Sequence, residues 1–233
     1  MKKNSVFVHI LTNIIIIAIL FGLYVACVPP YGTAVANAPI YRGDTESNKV
    51  AIMVNVYQGS NYVEQILTIM DKYQVSCTFF VGGIWAEKNM ELLKKMSQSA
   101  ELGNHGYLHL DHANLSYKQN LEEIALCDKL ITQVTGIKTN LFAPPSGSIG
   151  DNMLKVCESL DYRVIMWSKD TIDWRDKDSS LIYKRATKDA KSGDMILMHP
   201  TEHTVKALPE IIEFYLKNNL KPVRVSEIID NEF

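Results

Sequence analysis

The sequence predicts an α/β fold built on a parallel sheet, because short apolar runs alternate with helical patterns from Lys49 onward. Polar, histidine-rich stretches come after those runs, as loops do at the C-terminal ends of parallel strands. The length, 233 residues, suits one domain with a core of its own. Alternation alone allows either an open sheet or one closed as a barrel.

Taken in order, Val50 to Val56 reads as a buried strand. Tyr62 to Tyr73 reads as a helix, with Val63, Ile66, Leu67 and Met70 on one face. Cys77 to Val81 is a second strand and Ala86 to Met96 a helix. Tyr117 to Val134 is a long helix stopping near Gly136. Leu141-Phe142 is a short strand, Asp151 to Leu160 a helix, and Tyr162 to Trp167 a strand. Ser180 to Ala190 is a helix, Met195 to Met198 a strand, and Val205 to Leu216 a helix. No internal repeat or low-complexity segment interrupts the pattern.

The net charge of −2 supplies no basic excess for phosphate contacts, so nucleic acid is not an expected partner. Cys27, Cys77, Cys127 and Cys157 show no CxxC spacing and read as small buried hydrophobes. At the N-terminus, Lys2 and Lys3 precede an apolar run from Val6 to Val28, about long enough to span a bilayer as a helix. Charge before the run predicts that the chain beyond it faces outside, so the domain is extracytoplasmic. Ala34-Val35-Ala36 is a cleavage pattern, so residues 1–28 are a membrane anchor or a signal peptide. Residues 29–48, rich in Pro, Gly and Ala, read as a tether, and 49–233 as the domain. No signal speaks to oligomeric state.

His105 and His109, four apart, can reach one cation together, or they are two polar loop histidines. Asp170 and Asp173 lie just after a strand. A carboxylate there can orient a histidine from a neighbouring loop, or both are helix caps. His199 ends another strand on the same side, which makes a general-acid role credible beside that carboxylate loop.

These segments, in order, resemble the polysaccharide deacetylases of carbohydrate esterase family four, the NodB-homology domain, in a sporulation-associated type of branch. The resemblance rests on CTFFVGG (Cys77–Gly83), GNHGYLH (Gly103–His109), LFAPPSG (Leu141–Gly147), WSKDTIDW (Trp167–Trp174) and ILMHP (Ile196–Pro200). It implies a distorted, seven-stranded type of (β/α) barrel and de-N-acetylation of an acetylated glycan such as peptidoglycan or chitin-like oligomers. It also implies a divalent, zinc-like metal held by His105, His109 and an aspartate, and His199 as the acid oriented by Asp173. Trp174 and Leu197 would line the acetyl pocket, and the Ser146 backbone N–H would hold the oxyanion.

The chain departs from that pattern at its catalytic positions. Asn55 stands where the resemblance implies the base aspartate, and an amide has no proton affinity near neutral pH. Val56 stands where the metal aspartate belongs, with Gln58 as the substitute if the loop shifts register. Ala143 replaces an arginine that would pair with the base, and Gly106 replaces a hydroxyl residue bracing the metal loop. With these departures, two functions follow: a hydrolase in which metal-bound hydroxide forms without a dedicated base or another carboxylate, such as Asp111 or Asp170, substitutes, or a non-catalytic glycan-binding or scaffolding domain.

Overall fold

The structure is a computed structural model and describes residues 12–18 and 38–229. Residues 12–18 are helical; the rest of the run from Val6 to Val28, and with it the anchor or signal segment, lies outside the described residues. Among the described residues no helix is long and apolar enough to cross a membrane.

Among the described residues, eight parallel strands alternate with helices. The chain runs β1 (Lys49–Val56), α1 (Ser60–Tyr73), β2 (Thr78–Val81), α2 (Gly83–Lys88), α3 (Met90–Met96), β3 (Glu101–Asn104), α4 (Tyr117–Thr135), β4 (Leu141–Phe142) and α5 (Asp151–Ser159). It continues through β5 (Arg163–Val164), β6 (Lys169–Asp170), α6 (Ser179–Thr187), β7 (Met195–Met198), α7 (Glu202–Lys217), β8 (Lys221–Val223) and α8 (Ser226–Ile229). Seven strands form the path β5-β4-β3-β2-β1-β7-β6, and β8 pairs with the start of β1. The curved parallel sheet with alternating helices matches the expected distorted (β/α) barrel.

The central strand shows how sequence sets register. Val50, Ile52, Val54 and Val56 pack into the helix-side cluster, while Ala51 and Met53 pack into the inner one. Each aliphatic side chain so buried contributes about 1.5–3 kcal/mol, and a one-residue slip would exchange the two faces. Asn55 therefore falls on the inner face, at the strand's C-terminal end. The α1 stripe of Val63, Ile66, Leu67 and Met70 is buried as expected. Cys77, Cys127 and Cys157 are buried free thiols.

Three expectations are corrected. The helix expected over Ala86 to Met96 is two helices, broken at Asn89 (φ −134°). The Asn89 side chain donates to the Trp85 carbonyl (2.7 Å) and accepts from Ser60 Oγ (2.9 Å), competing with the helical backbone pattern. The strand expected over Tyr162 to Trp167 is shorter, and Lys169–Asp170 forms a separate strand beside β7. The tether is also shorter than 29–48. Ile40 exchanges backbone hydrogen bonds with Val164 and Met166, Arg42 pairs with the buried Asp194 (2.5 Å), and Gly43 N–H donates to Gly193 O. Those contacts move the start of the folded domain back to about residue 40.

Candidate active site

The C-terminal ends of the strands surround a pocket of about 390 Å³. It is lined by Asn55, His105, His109, Ser146, Trp174, Leu197 and His199, so the fold brings together seven of the eight residues singled out from sequence. Asp173 stands behind His199 instead of in the lining. Sequence reasoning missed two lining rings, Tyr57 and Trp167, and one partner, Thr204. Strand alternation could have found Tyr57, two residues beyond Asn55 on the same face.

His199 is held at three points around one carboxylate. Its backbone N–H donates to Asp173 Oδ2 (2.7 Å), and its ring Nδ1 lies 2.8 Å from Asp173 Oδ1. Thr204, in the first turn of α7, donates its hydroxyl to Asp173 Oδ2 (2.5 Å). The Asp173 side chain is fully buried. The carboxylate fixes Nδ1 as the protonated ring nitrogen and leaves Nε2 free for chemistry.

The histidine loop after β3 is anchored with similar economy. Asn104 Oδ1 accepts the Gly106 N–H, and Glu123 Oε2 accepts the N–H groups of Tyr107 (3.0 Å) and Leu108 (2.8 Å). His105 Nδ1 lies 2.7 Å from the Ala143 carbonyl. A carbonyl only accepts, so Nδ1 carries the hydrogen, and Nε2 is left buried without a partner. The His105 and His109 rings lie 5.1 Å apart, with His109 in left-handed backbone (φ 58°). Gly106 also has positive φ (71°), and a Cβ there would meet His112 Nε2 at 2.8 Å. His112 is fully buried, bonded through Nδ1 to Asn120.

Burial, then the neighbouring His109, push the His105 pKa from 6.5 down to about 3. Burial lowers His109 and His112 in the same direction. The native domain keeps these rings neutral where the unfolded chain takes up protons. The stability they contribute is therefore present above about pH 6.5 and lost as pH falls toward 3. The melting temperature is expected to drop across that window, and His105→Gln to flatten the drop. An unchanged slope in the variant would refute the assignment.

The positions of the missing carboxylates are equally definite. Asn55 is 3% exposed, and its Oδ1 has no hydrogen-bond partner. Val56 is fully buried in the helix-side core, pointing away from the histidines, and Gln58 lines a neighbouring pocket instead of this one. The residue facing the histidines is Tyr57, whose ring lies 4.0 Å from His109, 6.1 Å from His105 and 6.0 Å from His199. Among the described residues no group of three or more His, Cys, Asp or Glu side chains converges on one point. His105 and His109 thus offer two nitrogens, but the residues present do not complete the three-ligand set the resemblance implies. Of the carboxylates weighed as substitutes, Asp170 lines the pocket. Asp111 lies at the surface, bonded to Ser148 and Asn114.

Comparison with known proteins agrees with this geometry. The profile of the polysaccharide deacetylase family matches residues 42–165. A peptidoglycan-N-acetylglucosamine deacetylase of Bacillus cereus is 30% identical over 80% of this chain and 91% of its own. The uncharacterized protein YlxY of Bacillus subtilis is 35% identical over 82% of this chain, which spans only 60% of YlxY. A solved carbohydrate esterase family four pseudoenzyme of Bacillus anthracis superposes with a TM-score of 0.80 at 33% identity, covering 82% of this chain and 69% of that one. A mutant of it, described as having restored enzymatic activity, superposes equally well. Relatives with a named activity include peptidoglycan deacetylases, hydrolases of a non-peptide C–N bond, and on the profile match and these identities the chain belongs to the polysaccharide deacetylase family.

Proposed function

We propose that the pocket engages the 2-amino position of hexosamines in a cell-wall-type, N-acetylated glycan, as a de-N-acetylase site whose acid half is complete and whose base half lacks the aspartate the resemblance implies. The observation that carries this reading is the Asp173–His199 pair, locked by Thr204 and opening on the same pocket as the His105–His109 pair. Hydrolysis of the amide needs a proton taken from the attacking water and a proton given to the departing amine. His199, with Nδ1 held by Asp173, is placed to give that proton from Nε2. Leu197 and Trp174 provide an apolar wall for an acetyl methyl, and Ser146, in left-handed backbone, lines the same space. Among the described lining residues Asp170 is the one carboxylate left to take the first proton, and one of its oxygens is already engaged by the Ile172 N–H. Asn55 has no usable basicity, and His105, with a pKa pushed to about 3, is a poor base.

A second reading, glycan binding without turnover, is favoured by that asymmetry and by the pseudoenzyme among the relatives. Both readings place the domain outside the membrane, for which the support is Lys2 and Lys3 ahead of the apolar run. For the metal, two nitrogens without a carboxylate favour weak, exchangeable zinc. Dialysed protein is expected to retain well under one ion per chain, and His105→Ala less still; full retention in the variant would refute this.

The deciding experiment measures binding and acetate release together on a panel of acetylated peptidoglycan fragments and chitin-like oligomers. Saturable binding with acetate release about 10²–10⁴-fold below a family enzyme is expected, the contribution of a general base. Release at the family rate would show that a base has been overlooked. Absence of binding to every glycan would reject the proposal.

A further inference from the structure

The pocket holds two buried acceptors without a donor and one carboxylate, beside donor groups on Tyr57, Ser146, Trp167 and Trp174. His105 uses its Nδ1 hydrogen on the Ala143 carbonyl, so its buried Nε2 offers a lone pair and has no partner. Asn55 Oδ1 is likewise buried and unpartnered. Asp170 brings the only carboxylate among the described lining residues, and one of its oxygens takes the Ile172 N–H (2.8 Å). None of those ten residues is a lysine or arginine. Three aromatic rings, Tyr57, Trp167 and Trp174, complete the walls.

Buried acceptors are ordinarily satisfied, and leaving one without a donor is costly. Two of them beside a carboxylate and aromatic faces form the complement of a small cation bearing several N–H donors. An acetamide, with its methyl on the Leu197 and Trp174 wall, offers one N–H and so satisfies at most one of these acceptors. A primary ammonium offers three donors and a positive charge. Asn55, Val56 and Ala143 stand where the resemblance implies two aspartates and an arginine, which leaves Asp170 as the one charged carboxylate and no cationic Lys or Arg among the described lining residues.

We propose that the pocket is selective for the free amino group of a de-N-acetylated hexosamine, so that the domain retains glycan already deacetylated by an amide hydrolase. This rests on the glycan-site reading above and goes beyond it in naming the state of the sugar. The ammonium takes the Asp170 carboxylate and the two unpaired acceptors, and the sugar face lies against the rings.

The test is calorimetric titration of chelator-treated protein with a glucosamine tetramer and with an N-acetylglucosamine tetramer. The free-amine oligomer is expected to bind at least tenfold more tightly. Asp170→Asn is expected to reduce that preference about tenfold, the effect of losing one charged hydrogen bond. Its melting temperature, measured in parallel, separates this from misfolding. Asn55→Asp adds a charge at the second acceptor and is expected to tighten amine binding, an outcome that no structural damage produces. If the acetylated oligomer binds as tightly or more tightly, the amine selectivity is wrong while the glycan site survives. If neither binds, both readings fall, and a requirement for added zinc in amine binding overturns the proposal as well.

Discussion

The double variant Asn55→Asp with Ala143→Arg is expected to release acetate from an acetylated glycan about 100-fold faster than the parent, and neither single change to approach it. The two positions form one electrostatic unit in the resemblance and both lie in the interior here, Asn55 at 3% and Ala143 at 0% exposure. Ala143 packs in the inner cluster with Met53, Phe80 and Leu197. An arginine introduced there alone is a stranded charge costing about 3–5 kcal/mol, on the order of 10 °C in melting temperature. An aspartate at position 55 alone gains no cationic partner, because no lysine or arginine is among the described residues lining the pocket. Together each supplies the other's counter-charge, so stability and activity should both be non-additive. The gain sits at the low end of what a general base contributes because the third metal ligand is still absent. Val56→Asp cannot supply it, since that side chain points into the helix-side core. Simple addition of the two single effects, read from acetate release and thermal melts, would show that the positions are independent.

In that activated background, His199→Ala is expected to remove about 10²–10⁴-fold of the acetate release. Asp173→Ala should go further and unfold the site. It strips the acceptor from the His199 N–H, the His199 ring and the Thr204 hydroxyl at once, leaving buried donors unpaired at a cost of about 3–5 kcal/mol. Thr204→Val removes one of the three bonds and should cost about 1 kcal/mol while leaving the ring in place. That order of stability loss, measured by urea denaturation, separates a carboxylate that builds the site from one that merely borders it. Activity losses below tenfold for both His199→Ala and Asp173→Asn would mean the proton donor lies elsewhere.

What the sequence made legible is what periodicity and punctuation encode. The buried run of β1, the stripe of α1 and the loops after the apolar runs all stand where the pattern put them. The capping box from Ser116 to Gln119 and the left-handed Gly136 bound α4 close to its expected ends. What stayed hidden depends on partners distant in sequence. β3 reads Glu-Leu-Gly-Asn and has no strand signature. It forms because Thr78 donates to Glu101 (2.6 Å) and Asn104 donates to the Ile124 carbonyl (2.8 Å), satisfying polar groups inside the sheet. β8 is three residues, too short to carry a pattern, and is held against the start of β1. Thr204 serves Asp173 from 31 residues away, and no local spacing announces that bond. The docking of residues 40–44 is equally nonlocal, since the buried Asp194 that receives Arg42 comes from the turn before β7.

The packing beneath Gly106 limits which single substitutions the histidine loop can accept. A side chain at 106 would collide with the His112 ring, and that ring cannot swing aside. Asn120 holds its Nδ1 at 2.7 Å, and Phe142 packs edge-on at 5.1 Å. Introducing a hydroxyl there first requires His112 to shrink, which empties a filled interior site and gains nothing by itself. Position 106 is thus locked by its neighbours: a side chain there needs a matching change at His112, so the loop cannot be rebuilt by one substitution.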